Sequence, residues 1–217
     1  KLIDKIVYNS SLKGVLKEGD ILTAIDGYNI ENDGTVAFRK HEYTDYNYYV
    51  DTYQMGDSLT LDIIRDKKPM EVKATLQNRA DDMFLVKTTR YDMMPTYFIY
   101  GGYVFSPLTR NLIRATSRNR MKLSNLAMQW QKEEKNEAVV LLKVLASDIS
   151  RGDNYFGMWA IDKVNGESFK NFQEFYEKME NIKDDYIVLE DKNGVKVIID
   201  KKEAQAKQSE ILKKYNI

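Results

Sequence analysis

The chain has 217 residues, 33 basic and 33 acidic, for no net charge; 43% are hydrophobic and none is cysteine. That length fits one domain or two, balanced charge argues against a nucleic-acid surface, and the lack of cysteine excludes thiol catalysis, disulfides and cysteine-based metal sites. No apolar run approaches the roughly 18 residues of a membrane span, so no membrane span is expected. The sequence opens at Lys1 without methionine, already in a strand-like pattern. It reads as a fragment, with any targeting signal upstream.

Residues 1–8 alternate loosely and predict a strand, followed by a turn at Asn9-Ser10-Ser11. Residues 21–25 predict a second strand, closed by Asp26-Gly27, a dipeptide that tolerates the positive φ of a tight turn. After a loop from Asn32, Tyr43, Tyr46, Val50 and Tyr53 recur at helical spacing and predict an amphipathic helix over 43–54. Residues 58–65 and 70–76 alternate across Asp66-Lys67-Lys68-Pro69 and predict a hairpin. The first domain is expected over 1–77 and a linker over 78–96, with a short strand at 83–88.

The second domain is expected over 97–217. Residues 97–105 are apolar and aromatic around Gly101-Gly102, and Ser106-Pro107 resembles a helix start. Leu112, Ala115, Leu123, Leu126 and Trp130 support one or two helices between 108 and 132. The basic residues of that stretch, Arg114, Arg118 and Arg120 among them, fit the solvated face of a helix. Residues 138–145 read as a buried strand, 146–157 as a loop and 158–164 as a strand closed by Asn165-Gly166. Asn171 with Glu174 forms a capping-box pattern before a helix face of Phe172, Phe175, Tyr176 and Met179. A hairpin across Asp191-Lys192-Asn193-Gly194 and a helix over 203–215, with Ala206, Ile211 and Leu212 on its apolar face, complete the chain.

The chain is internally repeated. Residues 19–27 recur, diverged, as 158–166, at an offset of 139 that also matches Ile3 with Leu142, Ile6 with Leu145 and Ser11 with Ser150. Downstream, Arg65-Asp66 matches Glu190-Asp191 at an offset of 125. Each module reads strand, strand, helix, hairpin: a small, mostly antiparallel α+β domain.

Leu16-Lys17-Glu18-Gly19-Asp20-Ile21-Leu22, then Ile25-Asp26-Gly27, a helix, Gly56-Asp57 and a strand ending Arg65-Asp66-Lys67 resemble a PDZ domain of the circularly permuted type in HtrA/Deg serine proteases. Residues 33–39 resemble the insert in the first PDZ domain of the plant-type Deg branch, and residues 101–108 and 144–149 resemble its second. The resemblance implies two PDZ-like domains, each a small, mostly antiparallel sheet or partial barrel with flanking helices. Against the family pattern, the protease domain is missing, and the opening strand and carboxylate loop of the first PDZ domain would precede Lys1. It further implies a parent serine endopeptidase of protein quality control. The segment's role would be recognition of unfolded or C-terminal peptides and oligomer assembly, or assembly alone without peptide binding. Implied partners are the parent's own protease domain and further copies in a homo-oligomer. The implied compartment is periplasm or cell envelope, with organelle or cytoplasm as the alternative.

The residues themselves offer no catalytic site. The only histidine, His41, sits among Arg39, Lys40 and Glu42 with no nucleophile motif nearby, and no ligand cluster or phosphate loop calls for a metal or cofactor. The candidate site is peptide-binding. A glycine-containing loop can offer successive backbone N–H groups to a terminal carboxylate while the peptide adds as a strand beside a helix. The loop would be Gly101, Gly102, Tyr103, Val104 and Phe105, and the helix face Phe172, Phe175, Tyr176 and Met179. In the other reading, Tyr103 and Phe105 are core aromatics, the glycines permit close packing and Pro107 shortens the edge.

Overall fold

A computed structural model describes residues 1–89, 91–150 and 152–217. Arg90, inside the expected linker, and Arg151, inside the expected 146–157 loop, lie outside the described residues. The chain divides into two compact units, Lys1–Met83 and Phe84–Ile217, so residues 78–96 are shared between them. Both are α+β with antiparallel sheets.

The first unit contains β1 (Ile21–Ile25), β2 (Tyr28–Asn29), β3 (Thr35–Arg39), β4 (Glu42–Asp45), α1 (Asn47–Asp51), β5 (Ser58–Arg65) and β6 (Lys68–Thr75). Its main sheet runs β2-β1-β5-β6, and β3 and β4 form a separate hairpin. Leu59, Leu61 and Ile63 alternate inward along β5 and build the core with Leu22 and Ile25 of the bulged β1, joined by Leu16 and Ala74. Residues 1–8 form no continuous strand: Leu2 alone makes a bridge, to Ile21, while Ile3 exchanges hydrogen bonds with Asp20 and Gly19. The helix expected over 43–54 shrinks to α1, because Tyr43, Thr44 and Asp45 pair with Ala37, Val36 and Thr35. Tyr46, Val50 and Tyr53 still pack on the core, so helical spacing signalled burial in a segment whose first turn is spent on a strand. His41 is exposed in the β3–β4 turn at φ +65.

The second unit contains β7 (Phe98–Tyr100), β8 (Tyr103–Pro107), α2 (Arg110–Ala115), α3 (Arg120–Ala127), β9 (Val139–Val144), β10 (Gly157–Ile161), β11 (Lys163–Val164), β12 (Glu167–Ser168), α4 (Phe172–Asn181), β13 (Tyr186–Glu190), β14 (Lys196–Asp200) and α5 (Lys201–Lys214). Its two sheets run β10-β9-β8-β7 and β12-β11-β13-β14. A large aromatic core holds Phe105, Phe169, Phe175, Leu189 and Val197 among others. Alternation along β9 sends Val139 and Leu141 into that core and Val140 into a second one with Leu85, Leu108, Ile113 and Leu123. Ser106-Pro107 ends β8 rather than starting a helix; Thr109 caps α2 by accepting the Leu112 N–H at 3.2 Å. The strand expected at 83–88 reduces to a bridge from Phe84 to Trp130, whose rings stack at 4.2 Å.

The repeat has a physical basis. Asp26 and Gly27 take φ +47 and +79; Asn165 and Gly166 take +47 and +81. Behind each turn the same lock closes. The Asp26 N–H donates to Thr60 O and its Oδ1 accepts the Thr60 N–H, both at 2.8 Å. The Asn165 N–H donates to Val188 O at 2.8 Å and its Oδ1 accepts the Val188 N–H at 2.6 Å. Thr60 therefore corresponds to Val188, three residues out of step with the match of Arg65 to Glu190. The charged pair at the strand end aligns by chemistry, not by pairing. At the 139-residue offset, Met158 at φ +51 stands where the first copy has Gly19 at φ +92.

The first unit adds an ion pair. Asp20, 2% exposed, takes a bidentate contact from Arg65, Nε to Oδ1 at 2.8 Å and Nη2 to Oδ2 at 2.7 Å, and also accepts the Lys17 N–H. The Arg65 hydrogen bond outweighs burial and holds the Asp20 carboxyl below its ordinary 3.8. Removing Asp20 costs Arg65 its charged partner, although Arg65 is 18% exposed and keeps its bond to Val15 O. We expect Asp20→Ala to destabilise the first unit by about 1.5–3 kcal/mol, the range for hydrogen bonds to charged groups. Because the folded pKa lies below the unfolded one, the wild-type contribution is complete above the unfolded value and fades as pH falls through the folded value. Urea titration read on the NMR amide signals of β1 and β5, at neutral pH and in acid, measures both; an unchanged midpoint in the variant contradicts the assignment.

Candidate functional site

The nine candidate residues all lie in the second unit, where Phe105 meets Phe175, but not as a loop facing a helix. Tyr103, Val104 and Phe105 belong to β8, and Gly101-Gly102 is the two-residue turn of the β7–β8 hairpin. Both glycines have positive φ, +56 and +88, the conformation such a turn needs. The register pairs Phe98 with Phe105, Ile99 with Val104 and Tyr100 with Tyr103. β8 therefore has β9 on one side and β7 on the other.

The helix face lies against this hairpin. Asn171 caps α4 by accepting the Glu174 N–H at 2.9 Å, and Glu174 accepts the Lys170 N–H at 2.8 Å. Phe175 meets Phe105 at 5.1 Å between ring centroids, and Tyr176 meets Phe98 edge-on at 4.9 Å. Phe175 and Met179 are fully buried, Phe172 nearly so, and Tyr176 is 39% exposed. The space between β8 and α4, where an added strand would lie, thus contains β7, with Phe98 against Tyr176.

The turn is occupied as well. The Gly101 N–H donates to Gln208 Oε1 of α5 at 2.6 Å, Gln208 Nε2 donates to Ile99 O at 2.9 Å, and Gly102 O accepts the Leu145 N–H at 2.8 Å. A Cβ on Gly101 would stand 2.6 Å from the Ala204 Cβ, and one on Gly102 would stand 3.5 Å from Ile211. Tyr103 is 2% exposed and its hydroxyl donates to Asp153 Oδ2 at 2.6 Å. Burial, with that carboxylate second, pushes the phenol well above its ordinary range. Asp200 caps α5 by accepting the Glu203 N–H, and the face turned to the core is Ala204 and Ile211; Ala206 is exposed.

Sequence reasoning missed two participants, Phe98 and Gln208. Phe98 was legible, since Phe98 and Tyr100 alternate into a Gly-Gly hairpin signal. Gln208 shares the i, i+4, i+7 face with Ala204 and Ile211, but its partners, the Gly101 N–H and the Ile99 carbonyl, carry no sequence signal.

A family model described as PDZ domain matches residues 86–217. The chain belongs to the PDZ domain family. Over its full length it is 30% identical to Protease Do-like 4, mitochondrial, and 27% identical to Protease Do-like 2, chloroplastic, both of Arabidopsis thaliana. Over 77% of its length it is 32% identical to the Serine protease DegP homolog of Plasmodium falciparum. It spans 39%, 36% and 19% of these relatives, respectively. Among the described residues, this PDZ chain has no cluster of metal-ligating side chains and no helix long and apolar enough to cross a membrane.

Two glycines separate backbone strain from helix contact. Gly194 has φ +80 with open space around it, whereas Gly101 has φ +56 and Ala204 above it. Gly194→Ala carries the positive-φ cost alone, about 1 kcal/mol. Gly101→Ala adds displacement of α5, and we expect a loss of roughly 2–4 kcal/mol from strain and lost packing together. Thermal melts measure the difference, and limited trypsin digestion reads α5 through its lysines. Equal losses with α5 still protected contradict the packing.

Proposed function

We propose that this PDZ chain is the non-catalytic segment of a Deg/HtrA-type serine endopeptidase and that its second unit acts in assembly of a homo-oligomer rather than in capturing C-terminal peptides at the β8–α4 groove. The supporting observation is that β7 and α5 fill that groove: β7 holds the free edge of β8, and Gln208 takes the Gly101 amide. Strand addition draws its affinity from main-chain hydrogen bonds to an open edge, and here that edge is already paired. Recognition of substrate peptides through Gly101, Gly102, Tyr103, Val104, Phe105, Phe172, Phe175, Tyr176 and Met179 is the second reading. Tyr176, half-exposed beside Phe98, supports it, and it requires β7 or α5 to withdraw.

The parent's partners under this proposal are unfolded polypeptides, its own protease domain and further copies of itself. The mitochondrial and chloroplastic labels of the relatives favour an organelle over the periplasm or cell envelope that the family resemblance implies.

The test is a titration with hydrophobic C-terminal peptides read by NMR, on the wild type and on Gln208→Ala. We expect no shifts around 101–105 and 172–179 in the wild type, and sedimentation showing self-association of the chain. Saturable wild-type shifts on those residues, in a chain that stays monomeric, overturn the assembly reading in favour of recognition.

A further inference from the structure

The second unit holds another site, away from the β8–α4 groove. A cleft of about 750 Å³ opens beside β10, between that strand, α3 and the β13–β14 turn. Its apolar lining includes Leu85, Leu123, Leu126, Trp130, Met158 and Trp159. β10 is an outer strand of its sheet, paired with β9 alone. On its other side, Asn119 Nδ2 reaches the Gly157 and Met158 carbonyls at 3.4 Å and the Asp162 N–H donates to Glu190 O. Between these contacts no strand among the described residues lies beside the edge. An open strand edge within an apolar cleft is the surface an extended peptide adds to.

Cations mark both ends of that edge. At one end, a Cβ on Gly157 would stand 3.2 Å from Arg118 Nη1. At the other is Lys135, whose Nζ is buried, lies 3.5 Å from the centroid of the Phe169 ring and has no hydrogen-bond partner among the described residues. Burial pushes this ammonium down to about 8; Asp162, Glu174 and Glu137 pull it up and Lys192 pushes it further down. A desolvated cation without a hydrogen-bonded counter-charge is costly, and a carboxylate entering the cleft removes that cost. A terminal carboxylate would also need free backbone N–H groups, but the neighbouring amides of Asn136 and Glu137 both donate to Lys170 O. The donors left suit a side-chain carboxylate.

We propose that this cleft binds an extended acidic and apolar segment of a partner polypeptide, added as a strand to the open edge of β10, with a Glu or Asp side chain on Lys135 and a second acidic residue towards Arg118. Apolar residues between the two acids fill the space lined by Leu126, Trp130 and Met158. The site is separate from the β8–α4 groove and does not depend on whether that groove is open.

The chain has two tryptophans, Trp130 and Trp159, and both line the cleft, so intrinsic fluorescence reports its occupancy directly. The probe is an acetylated, amidated peptide with Glu on either side of a short Val/Leu stretch; the control has Gln in place of Glu. The Glu peptide should shift the tryptophan emission to saturation, and the Gln peptide should bind at least about tenfold more weakly, as loss of a charged hydrogen bond implies. Lys135→Gln should weaken binding by a similar factor while leaving the melting temperature unchanged or raised, because it removes an unpaired buried charge. Arg118→Gln should weaken it less. Silent tryptophans with the Glu peptide, equal binding of the two peptides, or full affinity in Lys135→Gln overturns the proposal.

Discussion

The second unit depends on a backbone turn without side chains. Gly101 and Gly102 reverse the chain where Ala204 and Ile211 of α5 press down on it, and no Cβ fits at Gly101. Because the turn is bare, α5 approaches closely enough for Gln208 to satisfy both the Gly101 N–H and the Ile99 carbonyl. Because the turn is tight, β7 is folded back onto β8 and Phe98 is delivered to Tyr176. The same glycines that could cradle a carboxylate in an open loop here let the chain close over itself. That closure underlies the assembly reading; β10 is the outer strand at the opposite end of the same sheet from β7.

The two units share a second constraint. Asp26 and Asn165 each follow a short strand, adopt positive φ and return a side-chain oxygen to the backbone of the strand that pairs with it. Asp and Asn tolerate this conformation and can make the bond. Asn165 also donates its amide to Asp184 and the Tyr186 carbonyl, which the carboxylate of Asp26 cannot do; Asp26 instead accepts the Tyr53 hydroxyl. The modules keep the lock and differ in what they attach to it.

The α+β class, the repeat, both hairpins that follow a helix, the α4 cap and the PDZ relationship were legible from the residues, because each rests on local pattern: period-two apolar residues, Asp-Gly and Asn-Gly turns, and Asn171 with Glu174. Errors arose where tertiary pairing overrode local pattern. Tyr43 carries a helical period with Tyr46 and Val50 yet lies opposite Ala37 in a hairpin. Of the nine groove residues, Phe105 and Phe175 do meet, while Gly101 and Gly102 lie against α5 instead. The β7 strand that pairs with β8 was open to a hairpin reading, but the Gln208 contact was not legible, because it joins segments about a hundred residues apart. The burial of the Lys135 amine has no sequence signature either, for its neighbours Glu133 and Glu134 make the stretch read as a charged loop.

The most direct measurement of the closed groove is native-state amide hydrogen exchange at residues 98–101, resolved by NMR. If β7 is a paired strand and Gln208 holds the turn, the Gly101 amide is protected and Gln208→Ala selectively releases it while the β9 amides stay slow. Rapid exchange of Gly101 and β7 in the wild type, at the rate of an unpaired loop, would contradict the account.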